Sequence, residues 1–156
     1  WKDWKNLVDV FYIGGTKCGF LFGEALIFNN PKIAKNMTYY LKQRGALMAK
    51  GWIIAVQFLT FFEQDLYQQL PKHANDTAKD IALALEEKNI SFDVPCCTNQ
   101  IFPILPNEWI EQLEKKYKFF HQTRHSHTHA SIRLVTSWST SPEQVQELIQ
   151  DIRNLS

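Results

Sequence analysis

Residues Leu7 to Ile13 are apolar and rich in β-forming side chains apart from Asp9, and Gly14-Gly15 closes the run. Such a run reads as a strand covered on both faces, the kind that parallel sheets use. Glu24 to Phe28 reads as a second strand. Two strands make a poor sheet, and a covered parallel sheet needs more of them than this sequence offers. The opening segment therefore reads as the end of a larger sheet domain.

Helical signals follow. Asn30-Pro31 offers a cap and a proline at the first helical position, and Ile33, Met37, Tyr40 and Leu41 continue at helical spacing until Gly45. A longer helix is expected from about Lys50 to Leu70, with Trp52, Val56, Leu59 and Leu66 on one face. Phe58, Phe61 and Phe62 widen its apolar surface, and Pro71 is expected to stop it. The next helix turns Ala78, Ile81, Ala82 and Leu85 inward. Ser91 to Pro106 holds short β-like runs, and Asn107 can cap a helix carrying Ile110, Leu113 and Tyr117. Ser131 to Trp138 alternates as a strand does. The last helix has a clear start, with Ser141 as cap, Pro142 first and Gln144 completing a capping box. Its apolar face is Val145, Leu148, Ile149 and Ile152. The chain thus divides into the end of a large domain, residues 1–70, and a small α+β domain, residues 71–156.

Composition excludes several classes. Seventeen basic residues stand against sixteen acidic ones in 156, a net charge of +1, so no basic face marks a nucleic-acid binder. No apolar run is long enough to cross a membrane. Three cysteines, two of them adjacent (Cys18, Cys96 and Cys97), do not make a disulfide framework, and a reducing cytoplasm is the simpler setting. The three sequons at Asn36, Asn75 and Asn89 are read as chance, with no signal peptide before them. Cys96-Cys97 is too closely spaced for a Cys-x-x-Cys redox site, and Cys18 reads as a small filler.

Lys17 follows the first strand, between glycines at 14, 15 and 19. A lysine that holds a carbonyl cofactor needs a rigid strand end, partial desolvation and room for close approach. A surface lysine in a glycine-rich turn has the same spacing. His125, His127 and His129 alternate, and three imidazoles on one extended face can bind zinc. No cysteine or acidic residue stands close in sequence to complete such a site, and a polar loop or strand edge is the plainer reading, so no metal is expected.

The run from Asp9 through Gly14-Gly15-Thr16-Lys17-Cys18-Gly19 to Gly23-Glu24-Ala25 resembles the active-site segment of threonine aldolases, in the fold-type I pyridoxal-phosphate class that also holds β-eliminating lyases. The resemblance continues through Lys42-Gln43-Arg44-Gly45 and returns at Ile132-Arg133-Leu134-Val135-Thr136-Ser137-Trp138. It implies an α/β chain corresponding to the C-terminal half of that fold. It further implies that Lys17 binds pyridoxal 5'-phosphate covalently and that Arg133 receives the substrate carboxylate. Thr16 is a candidate donor to the cofactor phosphate, or a turn-capping hydroxyl. Arg44 and Lys50 are candidates to approach the phosphate of a neighbouring subunit in a homodimer or homotetramer, or are solvated charges at helix ends.

The activity so implied is cleavage of L-threonine or L-allo-threonine to glycine and acetaldehyde. A pyridoxal-phosphate β-elimination is the alternative, and a non-catalytic α+β interaction domain is the alternative of another class. No nucleophile–base pair suggests a hydrolase. In the family, the carboxylate that meets the pyridine nitrogen and the residue that stacks on the ring lie upstream of the lysine. The 156 residues by themselves are therefore expected to turn over poorly or not at all.

Overall fold

Residues 15–23 are too few for a parallel crossover, which needs about a dozen residues or more. Accordingly, in a computed structural model describing residues 3–155, β1 (Val10–Gly14) and β2 (Glu24–Phe28) pair antiparallel, with Val10 opposite Phe28 and Gly14 opposite Glu24. The antiparallel pairing corrects the expected parallel one. Within this chain Val10 and Tyr12 are exposed while Phe11 and Ile13 are half-buried.

The chain divides into two units, Trp1–Tyr67 and Gln68–Ser156. The first holds α1 (Trp4–Leu7), the strand pair, one turn of 3₁₀ helix at Thr16–Cys18, α2 (Met37–Gln43) and α3 (Trp52–Glu63). The helix expected from Asn30 begins only at Met37. The Asn30 side chain accepts from the amide of Lys32, two residues on, and so makes a turn in place of a cap. In α3 the exposed side carries Trp52, Val56 and Leu59, the face expected to pack, whereas Ile54, Gln57, Phe58 and Phe61 are half-buried. A helix apolar on every side gives periodicity nothing to choose between.

The long helix also breaks earlier than expected. Asp65 takes a left-handed conformation, φ +57°, after α3, and α4 (Leu66–Glu87) starts at once. Pro71 then lies inside α4 and does not end it. Proline removes one donor to the carbonyl four residues back, and the remaining length of α4 carries the helix past that loss.

The second unit is built round one strand. β6 (His129–Val135) pairs along one edge with β3 (Gln100–Ile101) and β4 (Ile104–Pro106), and along the other with β5 (Phe120–Arg124), all antiparallel. Between the two short strands, the Pro103 carbonyl accepts from the Ile132 amide. Ile132 and Leu134 of β6 are buried with Ala78, Ile81, Ala82 and Leu85 of α4. Ile110 and Leu113 of α5 (Asn107–Glu114) and Val145, Leu148, Ile149 and Ile152 of α6 (Pro142–Asn154) complete this core. Pro106 takes the cap position of α5. The Asn107 side chain, expected as the cap, instead donates to the His127 carbonyl at 3.0 Å.

The capping box of α6 is formed as read: the Gln144 amide donates to Ser141 Oγ at 3.3 Å, and the Ser141 amide donates to Gln144 Oε1 at 3.1 Å. No helix among the described residues is long and apolar enough to cross a membrane. Ser141→Ala is expected to lower unfolding stability by about 1 kcal/mol, the usual cost of a lost N-cap, measured by urea denaturation of the complete gene product.

Candidate functional site

Lys17 stands in the turn that leaves β1, and aromatic packing beneath the turn fixes its shape. A Cβ on Gly15 would lie 2.1 Å from Phe20 Cδ2, so only glycine lets the Phe20 ring tuck under the backbone here. Phe20 is buried, and its ring meets those of Phe58 at 4.7 Å, Phe61 at 4.3 Å and Tyr67 at 6.2 Å, all edge-on. Edge-to-face rings at such separations add to the stabilisation from burial alone.

Polar contacts fasten the same turn. The Tyr67 hydroxyl donates to the Gly14 carbonyl at 2.8 Å and is also hydrogen-bonded to the Cys18 thiol. Burial pushes the Cys18 thiol up, and the bond to Tyr67 acts the other way. A thiol so raised stays protonated at neutral pH, which fits the filler role read for it. Gln57 of α3 holds the segment after the turn: its Oε1 accepts from the Leu21 amide at 2.8 Å and its Nε2 donates to the Phe22 carbonyl at 3.3 Å. Gly23 completes the clamp. It has φ +102°, and a Cβ there would lie 2.7 Å from Ile54.

The turn therefore presents Thr16 and Lys17 on a rigid base. Both are exposed. The desolvation expected round a cofactor-holding lysine is thus not supplied by residues 3–155. Arg44 follows α2 directly, Lys50 precedes α3, and both are exposed. Among the described residues, no hydrogen bond or ion pair involves the side chains of Thr16, Lys17, Arg44 or Lys50. The structure brings Thr16 and Lys17 together in one turn and joins neither, by any polar contact, to Arg44 or Lys50.

In the second unit, Arg133 lies on β6 directly opposite Phe120 of β5. Its guanidinium carbon is 4.5 Å from the centroid of the Phe120 ring. Its Nε is buried and has no hydrogen-bond partner, and no ion pair to Arg133 occurs among the described residues. A half-buried cation without a counter-charge costs free energy until an anion arrives.

The three histidines do not share the face of an extended strand. His125 and His127 lie in the turn between β5 and β6, and only His129 is in a strand. Each has its own neighbour: His125 pairs with Asp93 at 2.8 Å, His127 Nδ1 meets Arg124 at 3.1 Å, and His129 Nδ1 meets Thr128 at 2.9 Å. Among the described residues, no group of three or more histidine, cysteine or acidic side chains could hold a metal. A cleft of about 410 Å³ is edged by Lys116, Tyr117, Val135, Gln144 and Glu147 and includes none of the candidates. Lys116 is satisfied there by Glu147 and Asp151.

Relatives of known activity bear on this arrangement. The chain is 33% identical over 156 residues to the low specificity L-threonine aldolase of Pseudomonas aeruginosa, in an alignment taking in 97% of this chain and 43% of that protein. It is 30% identical over 151 residues to the enzyme of the same name from a Pseudomonas species, again over 43% of its length. The solved threonine aldolase of Leishmania major superposes with a TM-score of 0.89 at 36% identity, over 97% of this chain and 44% of that one. By sequence and by fold, this chain matches the C-terminal part of the threonine aldolases. It spans less than half the length of these relatives, and no family model matches it.

The mixed α/β fold is thus that of the C-terminal part of a threonine aldolase. Resemblance to threonine aldolases drew attention to the Lys17 turn and to Arg133, but not to what supports them. Gln57 reads in sequence as a polar interruption of an apolar helix, yet it binds the turn. Tyr67 lies beyond the break that the sequence did not reveal. Phe120 falls in the segment Phe120–Arg124, whose polar composition hides a strand that only pairing with β6 creates.

Gly15→Ala is expected to push the Phe20 ring out of its place and to cost about 1–3 kcal/mol, as overpacking does elsewhere. Urea unfolding of the complete gene product, with and without the substitution, checks this.

Proposed function

We propose that this chain is part of a pyridoxal-phosphate-dependent threonine aldolase, with Lys17 as the lysine that carries the cofactor. The observation that carries the reading is the Lys17 turn, a lone primary amine on a base fixed by Phe20, Tyr67 and Gln57 in a chain that matches threonine aldolases. The donor set fits the cofactor. Among the described residues the Lys17 amine has no carboxylate partner, which suits an aldehyde, and the neighbouring Thr16 hydroxyl has no side-chain hydrogen bond, which suits a phosphate oxygen. When bound, pyridoxal phosphate supplies an electron-accepting ring for cleavage at the α-carbon of an amino acid.

The remaining roles belong to this chain's own residues. The Lys17 amine would hold the cofactor covalently and would be the group that the substrate's amino group replaces. The Thr16 hydroxyl donates to the phosphate. Arg133 receives the substrate carboxylate through two parallel N–H donors and orients the α-carbon substituents, while the strand beneath fixes its backbone. Its buried, unpartnered Nε and lack of an ion pair support this role. Arg44 and Lys50 are assigned to the phosphate of a neighbouring subunit, which makes the working form an oligomer. The substrate is a β-hydroxy amino acid such as L-threonine or L-allo-threonine, and a cytoplasmic setting accords with three free cysteines.

Product analysis tests the reaction. The complete gene product, supplied with pyridoxal phosphate and L-threonine, is expected to release glycine and acetaldehyde in equal amounts, and Lys17→Ala is expected to abolish this. Pyruvate and ammonia from cysteine, with no glycine from threonine, would instead mark a β-eliminating lyase. Arg133→Lys is expected to lower kcat/KM by about 1.5–3 kcal/mol, the range for hydrogen bonds to charged groups, chiefly through KM.

A further inference from the structure

We propose that Phe120 is a positioning residue for Arg133, holding the guanidinium plane so that its edge is free for a carboxylate. This rests on the assignment of Arg133 to the substrate carboxylate. Phe120 and Arg133 are directly opposed in the β5–β6 pair, so their side chains leave the same face. The ring lies 4.5 Å from the guanidinium carbon, well inside the range of about 6 Å for attraction between a cation and an aromatic face.

Two further observations give the contact its meaning. Phe120 is 61% exposed, and every residue of β5 is exposed, so the ring is not part of the second unit's core. Arg133, in turn, has no ion pair and no partner for its buried Nε among the described residues. Among the described residues, the ring is thus a contact that restrains the far end of a long, rotamer-rich side chain. A contact between the ring and the guanidinium carbon uses none of the N–H donors, which lie in the guanidinium plane. A carboxylate binds in that same plane. Holding the plane before the ligand arrives removes part of the ordering cost of binding.

The prediction is a loss specific to the carboxylate. The complete gene product is loaded with pyridoxal phosphate, and binding of glycine and of methylamine, which is glycine without its carboxylate, is read from the absorbance of the bound cofactor. Phe120→Ala is expected to weaken glycine about fivefold to tenfold, in the range of a partly desolvated cation–aromatic contact, and to leave methylamine unchanged. Phe120→Tyr should restore glycine binding. Phe120→Leu, which keeps apolar bulk without an aromatic face, should not, and it serves also if the alanine variant fails to fold. Equal glycine affinity in Phe120→Leu and the parent, or equal weakening of both ligands, would overturn the proposal. Arg133→Ala separates the two levels. If it spares glycine relative to methylamine, the carboxylate assignment fails; if it weakens glycine selectively while Phe120→Leu does not, only the role of Phe120 fails. A parent protein whose absorbance responds to neither amine would overturn the cofactor reading and this proposal with it.

Discussion

Phe20 fills the space that a side chain at residue 15 would need, and the presentation of Lys17 depends on that exchange. The ring sits under the turn and against Phe58, Phe61 and Tyr67, so the strand end, the turn and α3 share one packed cluster. Once the ring is there, Tyr67 can reach the Gly14 carbonyl and Gln57 can satisfy the backbone at Leu21 and Phe22. A lysine on a loose loop would lose conformational entropy each time it reacted. Here much of that cost is met on folding, by residues that need never touch a ligand.

The second unit solves a similar problem with different parts. Alternation along β6 sends Ile132 and Leu134 into the core and leaves Arg133 on the other face. The strand cannot slip by one residue without burying the guanidinium and exposing two apolar side chains, so core packing also fixes where the cation stands. Among the described residues no ion pair neutralises it, and the Phe120 ring lies 4.5 Å from its guanidinium carbon.

Much of the second unit was legible in the sequence because its helices are amphipathic. Ala78, Ile81, Ala82 and Leu85, and likewise Val145, Leu148, Ile149 and Ile152, were read as inward from spacing and are buried. The capping box of α6 is local chemistry and needs no tertiary context. The first unit was less legible, since α3 is apolar on all sides and β1 on both. Periodicity carries no information there, and the packed face is chosen by Phe20, which is distant in sequence. The break at Asp65 was hidden for a related reason, because apolar residues continue across it while Pro71, the obvious breaker, is tolerated inside α4. The turn holding Lys17 could be placed from its glycines, but its chemistry came from resemblance, and its supports became visible only in three dimensions.

The central claim is that Lys17 carries pyridoxal phosphate. The most direct measurement is to add the cofactor to the complete gene product, reduce with borohydride, digest, and map the adduct by mass spectrometry. The account predicts an adduct concentrated on the peptide that contains Lys17. No adduct there, or one scattered over exposed lysines such as Lys42 and Lys50, would contradict it.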